Sequence, residues 1–322
     1  MRPNRMMYEP GGRRAGLLLL ALLLPTLAVA EPLRVFASVA PLQVFVSMIG
    51  GDHVDARALV RQGFDPHAYD PTPQQIGALT KTALYVSAGL PFERAWMPRI
   101  LSANPTMQVL HARDGIASRT LEAHDHGHRA SDPHAIEDDQ HGHTPPPALD
   151  TGSHDLAGAY ETDPHVWVSP PLVRHMAGRI RDKLNELAPA HAAQFMRNHD
   201  AFIAQLDALD RELHALLDPL PNRRFMVFHP AWGYFADNYG LTQVPIEHEG
   251  KEPGARALAG LIDQARNEGI RLVFVQPQFD RRRALQVAKA INGTVVSIDP
   301  LAADYFDNMR RVGREIARAL QP

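Results

Sequence analysis

Residues 33–49, LRVFASVAPLQVFVSMI, contain the change of pattern that decides the fold. Residues 33–39 form a short apolar run, the mark of a buried strand. From Pro41 onward the spacing changes. Leu42, Phe45, Val46 and Ile49 now recur every three or four positions and share one helical face. A buried strand running straight into a helix is the opening unit of a parallel sheet covered by helices.

The alternation continues on either side of a long helical stretch. Residues 54–60 predict a second strand, and 63–73, GFDPHAYDPTP, a loop on their proline and glycine content. Thr72 followed by Pro73 is a helix start, and the helix carries on through Ile76, Leu79 and Thr80. Residues 83–88 predict a strand and 92–101 a helix. Helices are predicted over 171–187 and, after Pro189, over 190–217, where Phe195, Phe202, Leu206, Leu209, Leu213 and Leu216 keep helical spacing. That second helix would be about 40 Å long, roughly a domain's diameter. Strands at 224–228, 272–276 and 294–298 then alternate with helices at 231–239, 258–268, 282–291 and 305–320. The predicted fold class is α/β, with two lobes, each a parallel sheet flanked by helices, joined by a long rigid connector helix. The predicted partition is 1–30, 31–188, the connector 190–217, and 218–322. No sequence repeat between the lobes is evident.

Residues 1–30 read as an export signal. Arg13 and Arg14 precede a leucine-rich apolar run, and Ala28-Val29-Ala30 resembles a cleavage site. The apolar run is short for a bilayer-spanning helix, and no cysteine follows the cut to carry a lipid. A soluble protein of a Gram-negative periplasm is expected. The chain has 322 residues, net charge -3 and no cysteine. No nucleic-acid footprint is visible, and any metal site must use His, Asp or Glu.

Histidine is enriched, with 17 in the chain. Many fall in a stretch of weak apolar periodicity, about 117–162. There His124, His126, His128, His134, His141 and His143 lie among Asp, Gly, Ser and Pro. This stretch is expected to stay without fixed structure and to bind metal weakly. Three other histidines sit beside prolines in loops or at a strand end: His67 in FDPHAYDP, His165 in TDPHVWVSP, and His229 after RFMVF. Asp299 follows another strand. Neutral imidazoles suit Zn2+, and a carboxylate or a water can complete the shell. Ligands in open parallel sheets gather at the carboxyl ends of strands, where His229 and Asp299 fall. The remaining histidines, and the acids Glu247 and Glu249, read as surface or loop residues.

Five motifs in order, GFDPHAYDPTP, DPHVWVSP, VFHPAWGYFADNYGL, QPQF and IDPL, resemble the zinc-specific branch of the metal-binding solute-binding proteins of ABC transporters, the ZnuA type. The resemblance spans residues 33–320. It implies a metal-receptor type of periplasmic binding protein with His67 and His165 on the first lobe and His229 on the second. It also implies Asp299 as fourth ligand or as neighbour of a bound water. Manganese-binding relatives carry a carboxylate where this chain has His229, which points to zinc. The resemblance further implies a monomer that delivers zinc to a membrane permease driven by an ATPase, with no catalysis. The His-rich insert is typical of that branch. Two departures stand out: Gln276 occupies a position often held by Glu, and the disulfide common in the second lobe is ruled out. The rival expectation is a secreted zinc hydrolase, since three histidines and a water also make a catalytic shell. No general base at a fixed spacing from a ligand supports it. On ordinary imidazole chemistry, metal affinity is expected to fall steeply between about pH 7 and pH 5.

Overall fold

The computed structural model describes residues 31–120, 162–247 and 253–321. Residues 1–30, expected to be an export signal, the histidines of the insert and Glu249 lie outside these residues. The first sheet is built from β1 (Leu33–Ala37), β2 (Val54–Ala58), β3 (Leu84–Ser87) and β4 (Gln108–His111), in the order β2-β1-β3-β4, with all pairs parallel. Its connections are α1 (Ala40–Gly50), α2 (Pro73–Leu79) and α3 (Pro91–Ala103). The second sheet contains β5 (Arg224–Val227), β6 (Thr242–Pro245), β7 (Leu272–Val275) and β8 (Thr294–Ser297). Its order, β6-β5-β7-β8, repeats that of the first with all pairs again parallel. The helices α6 (Gly233–Asn238), α7 (Ala255–Asn267) and α8 (Arg281–Ala290) connect its strands. Thus the lobes share a topology that their sequences do not display.

Two of the eight strands, β4 and β6, have no counterpart in the sequence-based expectation. Both are edge strands. In β4 only Leu110 is buried, and β6 opens with an exposed Thr242 and closes on Pro245. An edge strand hydrogen-bonds on one side only and can do with little apolar patterning; the edges β2 and β8 keep enough of it to be expected from the sequence, whereas β4 and β6 do not.

Between the sheets run α4 (Pro170–Leu187) and α5 (Ala192–Leu217), separated by a tight turn at Pro189–His191. The expected connector therefore begins two residues later than its sequence pattern suggested. Along α5 the buried residues are Phe195, His199, Phe202, Leu206, Leu209, Leu213 and Leu217. They make one stripe that packs on α1, α4 and the C-terminal helix α9 (Tyr305–Leu320). His199 belongs to this stripe rather than to the surface.

One hydrophobic core runs through the first sheet, α4, α5, α9 and one face of the second sheet. A smaller core fills the other face of the second sheet. Phe202 sits at the junction, its ring 5.5 Å from that of Phe45 in α1 and 5.9 Å from that of Phe306 in α9. Phe45 also meets Tyr305 edge-on at 4.9 Å. The lobes are thus welded through aromatic packing next to α5. Among the described residues no helix is long and apolar enough to cross a membrane.

Truncating Phe202 removes a ring shared by α1, α5 and α9. Phe202→Ala is expected to destabilise the metal-free protein by about 3–5 kcal/mol. Urea unfolding should register this as a lower midpoint at unchanged slope. A loss under about 1 kcal/mol would show that the stripe does not join the two halves.

Candidate metal centre

Two copies of Asp-Pro-His build the first lobe's share of the site. In Asp65-Pro66-His67 the carboxylate of Asp65 accepts the His67 backbone N–H at 2.8 Å, and in Asp163-Pro164-His165 that of Asp163 accepts the His165 N–H at 2.9 Å. This two-residue Asx turn, with proline fixing the middle φ, presets where each ring leaves the chain. The loop carrying His67 is anchored downstream by the α2 cap. Thr72 accepts the Gln75 N–H, and the Gln75 side chain accepts the Thr72 N–H and donates to Leu59 at the end of β2. His165 precedes a short 3-10 turn, Val166–Val168, that leads into α4.

His229 stands two residues beyond β5, at the carboxyl end of the second sheet. Chain connections diverge to opposite sides of β5 and β7 here, which opens a crevice between the strand ends. Gln276, just after β7, grips His229 from the neighbouring strand. Its amide donates to the His229 carbonyl at 2.8 Å and accepts the His229 N–H at 3.4 Å. An ionised glutamate could not make the first of these bonds, which gives the Gln276 departure a physical meaning.

The three rings converge. Their centroids are 4.8 to 5.3 Å apart, and one nitrogen from each can be chosen so that all lie within 4.8 Å of one another. The Nε2 atoms of His67 and His165 are 3.4 Å apart. Two donors on a tetrahedral Zn2+ with Zn–N near 2.0–2.1 Å lie about 3.3–3.4 Å apart, so this spacing fits. Among the described residues this is the one group of three or more metal-ligating side chains so gathered.

Carboxylates set the orientation of two rings. Asp163 lies 2.7 Å from Nδ1 of His165, and Glu247 contacts Nδ1 of His229. A carboxylate only accepts, so each Nδ1 carries the hydrogen and each Nε2 keeps its lone pair. The Nε2 of His229 is buried with no hydrogen-bond partner among the described residues. Such an orphaned acceptor is costly unless a cation meets it. Glu247 is 3% exposed, so its expected place in a solvated loop was wrong. It comes from the segment after β6, and no local spacing links it to His229. Asp163, by contrast, was readable as the first residue of the second Asp-Pro-His.

The cavity is about 10 Å³, close to the volume of one water-sized sphere, and Pro66, Gln276, Gln278, Phe279, Pro300 and Leu301 complete its wall. Phe279 stacks on His229 at 4.8 Å, and Trp167 meets His165 edge-on at 5.3 Å. Trp167 also donates to the Pro300 carbonyl at 2.8 Å and accepts from Tyr305 at 3.0 Å, tying the lobes together beside the site. Burial, then the neighbouring rings of His229 and His165, hold the His67 imidazole well below its ordinary value. Burial and then His165 do the same for His229. Burial raises Asp65.

Asp299 does not join the three histidines. Its Oδ1 accepts from the Gln278 amide and the Leu301 N–H, both at 2.9 Å. One oxygen of the carboxylate is thus engaged, by its own loop and by the residue three beyond β7.

A family profile described as "Zinc-uptake complex component A periplasmic" (ZnuA) matches residues 35–319. The high-affinity zinc uptake system protein ZnuA of Brucella abortus is 34% identical over 150 residues, covering 46% of this chain and 45% of that one. The zinc-binding protein AdcA of Streptococcus pyogenes is 26% identical over 294 residues, covering 86% of this chain and 54% of that one. The chain thus spans about half the length of these curated relatives. A crystal structure of ZnuA superposes with a TM-score of 0.78 at 37% identity, covering 90% of this chain and all of that one. A zinc-bound ZnuA lacking residues 138–173 of its own numbering gives 0.76 at 36% identity, covering 91% of this chain and 99% of that one. With the profile matching nearly its whole length, the chain belongs to the ZnuA family of periplasmic zinc-uptake components.

Proposed function

We propose that this protein captures a single Zn2+ between its lobes in the periplasm and hands it to a membrane permease driven by an ATPase. The observation that carries the reading is the trio of imidazoles from His67, His165 and His229, gathered around a cavity of one-ion size. His67, His165 and His229 would hold the ion, and zinc is cargo here rather than a catalyst. Histidine nitrogens favour a borderline cation such as Zn2+ over hard cations that prefer all-oxygen shells. Asp163 and Glu247 stand behind two of the rings, offsetting the ion's charge and raising ligand basicity. On this reading the protein works as a monomer, delivered by removal of residues 1–30. The histidines of the insert (His124, His126, His128, His134, His141 and His143) would collect ions weakly, a role resting on composition alone.

The direct test is metal analysis with competition titration on residues 31–322. One zinc per chain is expected. Alanine at His67, His165 or His229 should each weaken zinc by more than the roughly 10–100-fold typical of outer-shell losses. Full retention of affinity in any two of these variants would refute the site.

Glu247→Ala should weaken zinc by about 10–100-fold, because Nδ1 of His229 loses the acceptor that fixes its tautomer. Zinc titration of this variant beside the parent would detect it. Unchanged affinity would mean that the ring is held by packing alone.

The pH response follows from the lowered imidazoles. The neutral ring is the ligand, and protons compete with zinc only as pH approaches the folded pKa. Because His67 and His229 are held well below the ordinary value of about 6.5, protonation of these two rings should weaken zinc binding only below that pH. Metal-free stability should weaken over the same acid range, since only the unfolded chain takes up these protons at first. Competition titrations from pH 7.5 to 5 provide the check. A tenfold loss already at pH 7 would contradict the buried, neutral rings.

A further inference from the structure

Three histidines supply three corners of a tetrahedron, and a structural or transport zinc site is completed by a fourth donor. Among the polar side chains lining the cavity, Gln276 has both ends of its amide engaged with the His229 backbone. That leaves Gln278. Its Nε2 donates to Asp299 Oδ1 at 2.9 Å. Since a carboxylate can only accept, the amide cannot be turned round, and Oε1 must face away from Asp299. That Oε1 is sealed from solvent and has no hydrogen-bond partner among the described residues.

Two buried acceptors at one cavity, Nε2 of His229 and Oε1 of Gln278, are therefore left without donors. A buried amide oxygen without a donor is destabilising, and a cation relieves it as a hydrogen-bond donor would. Asp299 is itself held from three sides: by the Gln278 amide, by the Leu301 N–H, and by Asn308, which donates to the Asp299 carbonyl at 2.6 Å.

Resting on the zinc-capture reading above, we propose that Gln278 Oε1 is the fourth donor to the ion and that Asp299 is a positioning residue acting through it. The donor set is then three neutral imidazoles and a neutral amide oxygen. All the compensating negative charge stands one layer out, on Asp163, Glu247 and Asp299. Asp299 thus serves the site without touching the ion.

The experiment is a double-mutant cycle read by zinc competition titration and by the visible spectrum of the cobalt(II)-loaded protein, which reports coordination number. Gln278→Leu is expected to weaken zinc by about 10–100-fold and to alter the cobalt bands, with metal-free unfolding confirming that the variant folds. Asp299→Ala should weaken zinc in the parent but add nothing in the Gln278→Leu background. An unchanged cobalt spectrum in Gln278→Leu would overturn the proposal, as would an Asp299→Ala effect that persists without Gln278. His229→Ala run alongside separates the two readings. Loss of zinc there with no effect of Gln278→Leu sinks only the fourth-donor assignment, whereas retention of zinc there and in His67→Ala sinks the three-histidine site itself.

Discussion

An imidazole can bind a cation only through an unprotonated nitrogen, and three imidazoles can share one small cavity only if each turns that nitrogen inward. Asp163 and Glu247 enforce this for His165 and His229 by occupying the opposite nitrogen of each ring. Burial adds to the effect by disfavouring the charged imidazolium of His67 and His229. Two of the three rings are consequently preorganised: the tautomer and orientation of His165 and His229 are set before an ion arrives. Less reorganisation on binding means less free energy lost to it.

Preorganisation of this kind needs two lobes in a fixed relation, since His67 and His165 come from one and His229 from the other. The shared core supplies it. Aromatic rings of α1, α5 and α9 interlock, and Trp167 and Tyr305 exchange hydrogen bonds with the opposite lobe close to the cavity. A long helix alone would act as a strut between two bodies. A continuous core makes them nearly one body, so large opening motions would expose apolar surface and be opposed by the hydrophobic effect.

The two sheets repeat one strand order, yet they are used differently. In the second, the crevice between the ends of β5 and β7 presents His229 and Gln276. In the first, the matching crevice beyond β1 is filled by Ser38, which donates to Glu93 at 2.5 Å and accepts the Ala88 N–H, so it is closed by structure rather than opened to a ligand. The first lobe instead presents histidines from Asx-turn loops. A single topology therefore provides a binding end on one lobe and a sealed end on the other, with the metal cavity where the two meet.

Much of this was legible along the chain. Central strands and amphipathic helices announce themselves by short-range periodicity, because burial repeats every two or 3.6 residues. His67, His165 and His229 stood out by their loop placement beside proline. The edge strands β4 and β6 did not, since an edge needs little apolar pattern. Nor did Glu247, Gln278 or the redirected Asp299. Glu247 meets His229, and Gln278 meets Asp299, only because the fold brings them close, while the Asp299 carboxylate also accepts from Leu301 in its own loop. The sequence alone thus determined the α/β alternation, which is written in local spacing, and singled out His67, His165 and His229 through the motifs it shares with a known family. Which side chains stand behind and opposite those ligands was decided only by tertiary packing, because hydrogen-bond partnership depends on distance in space.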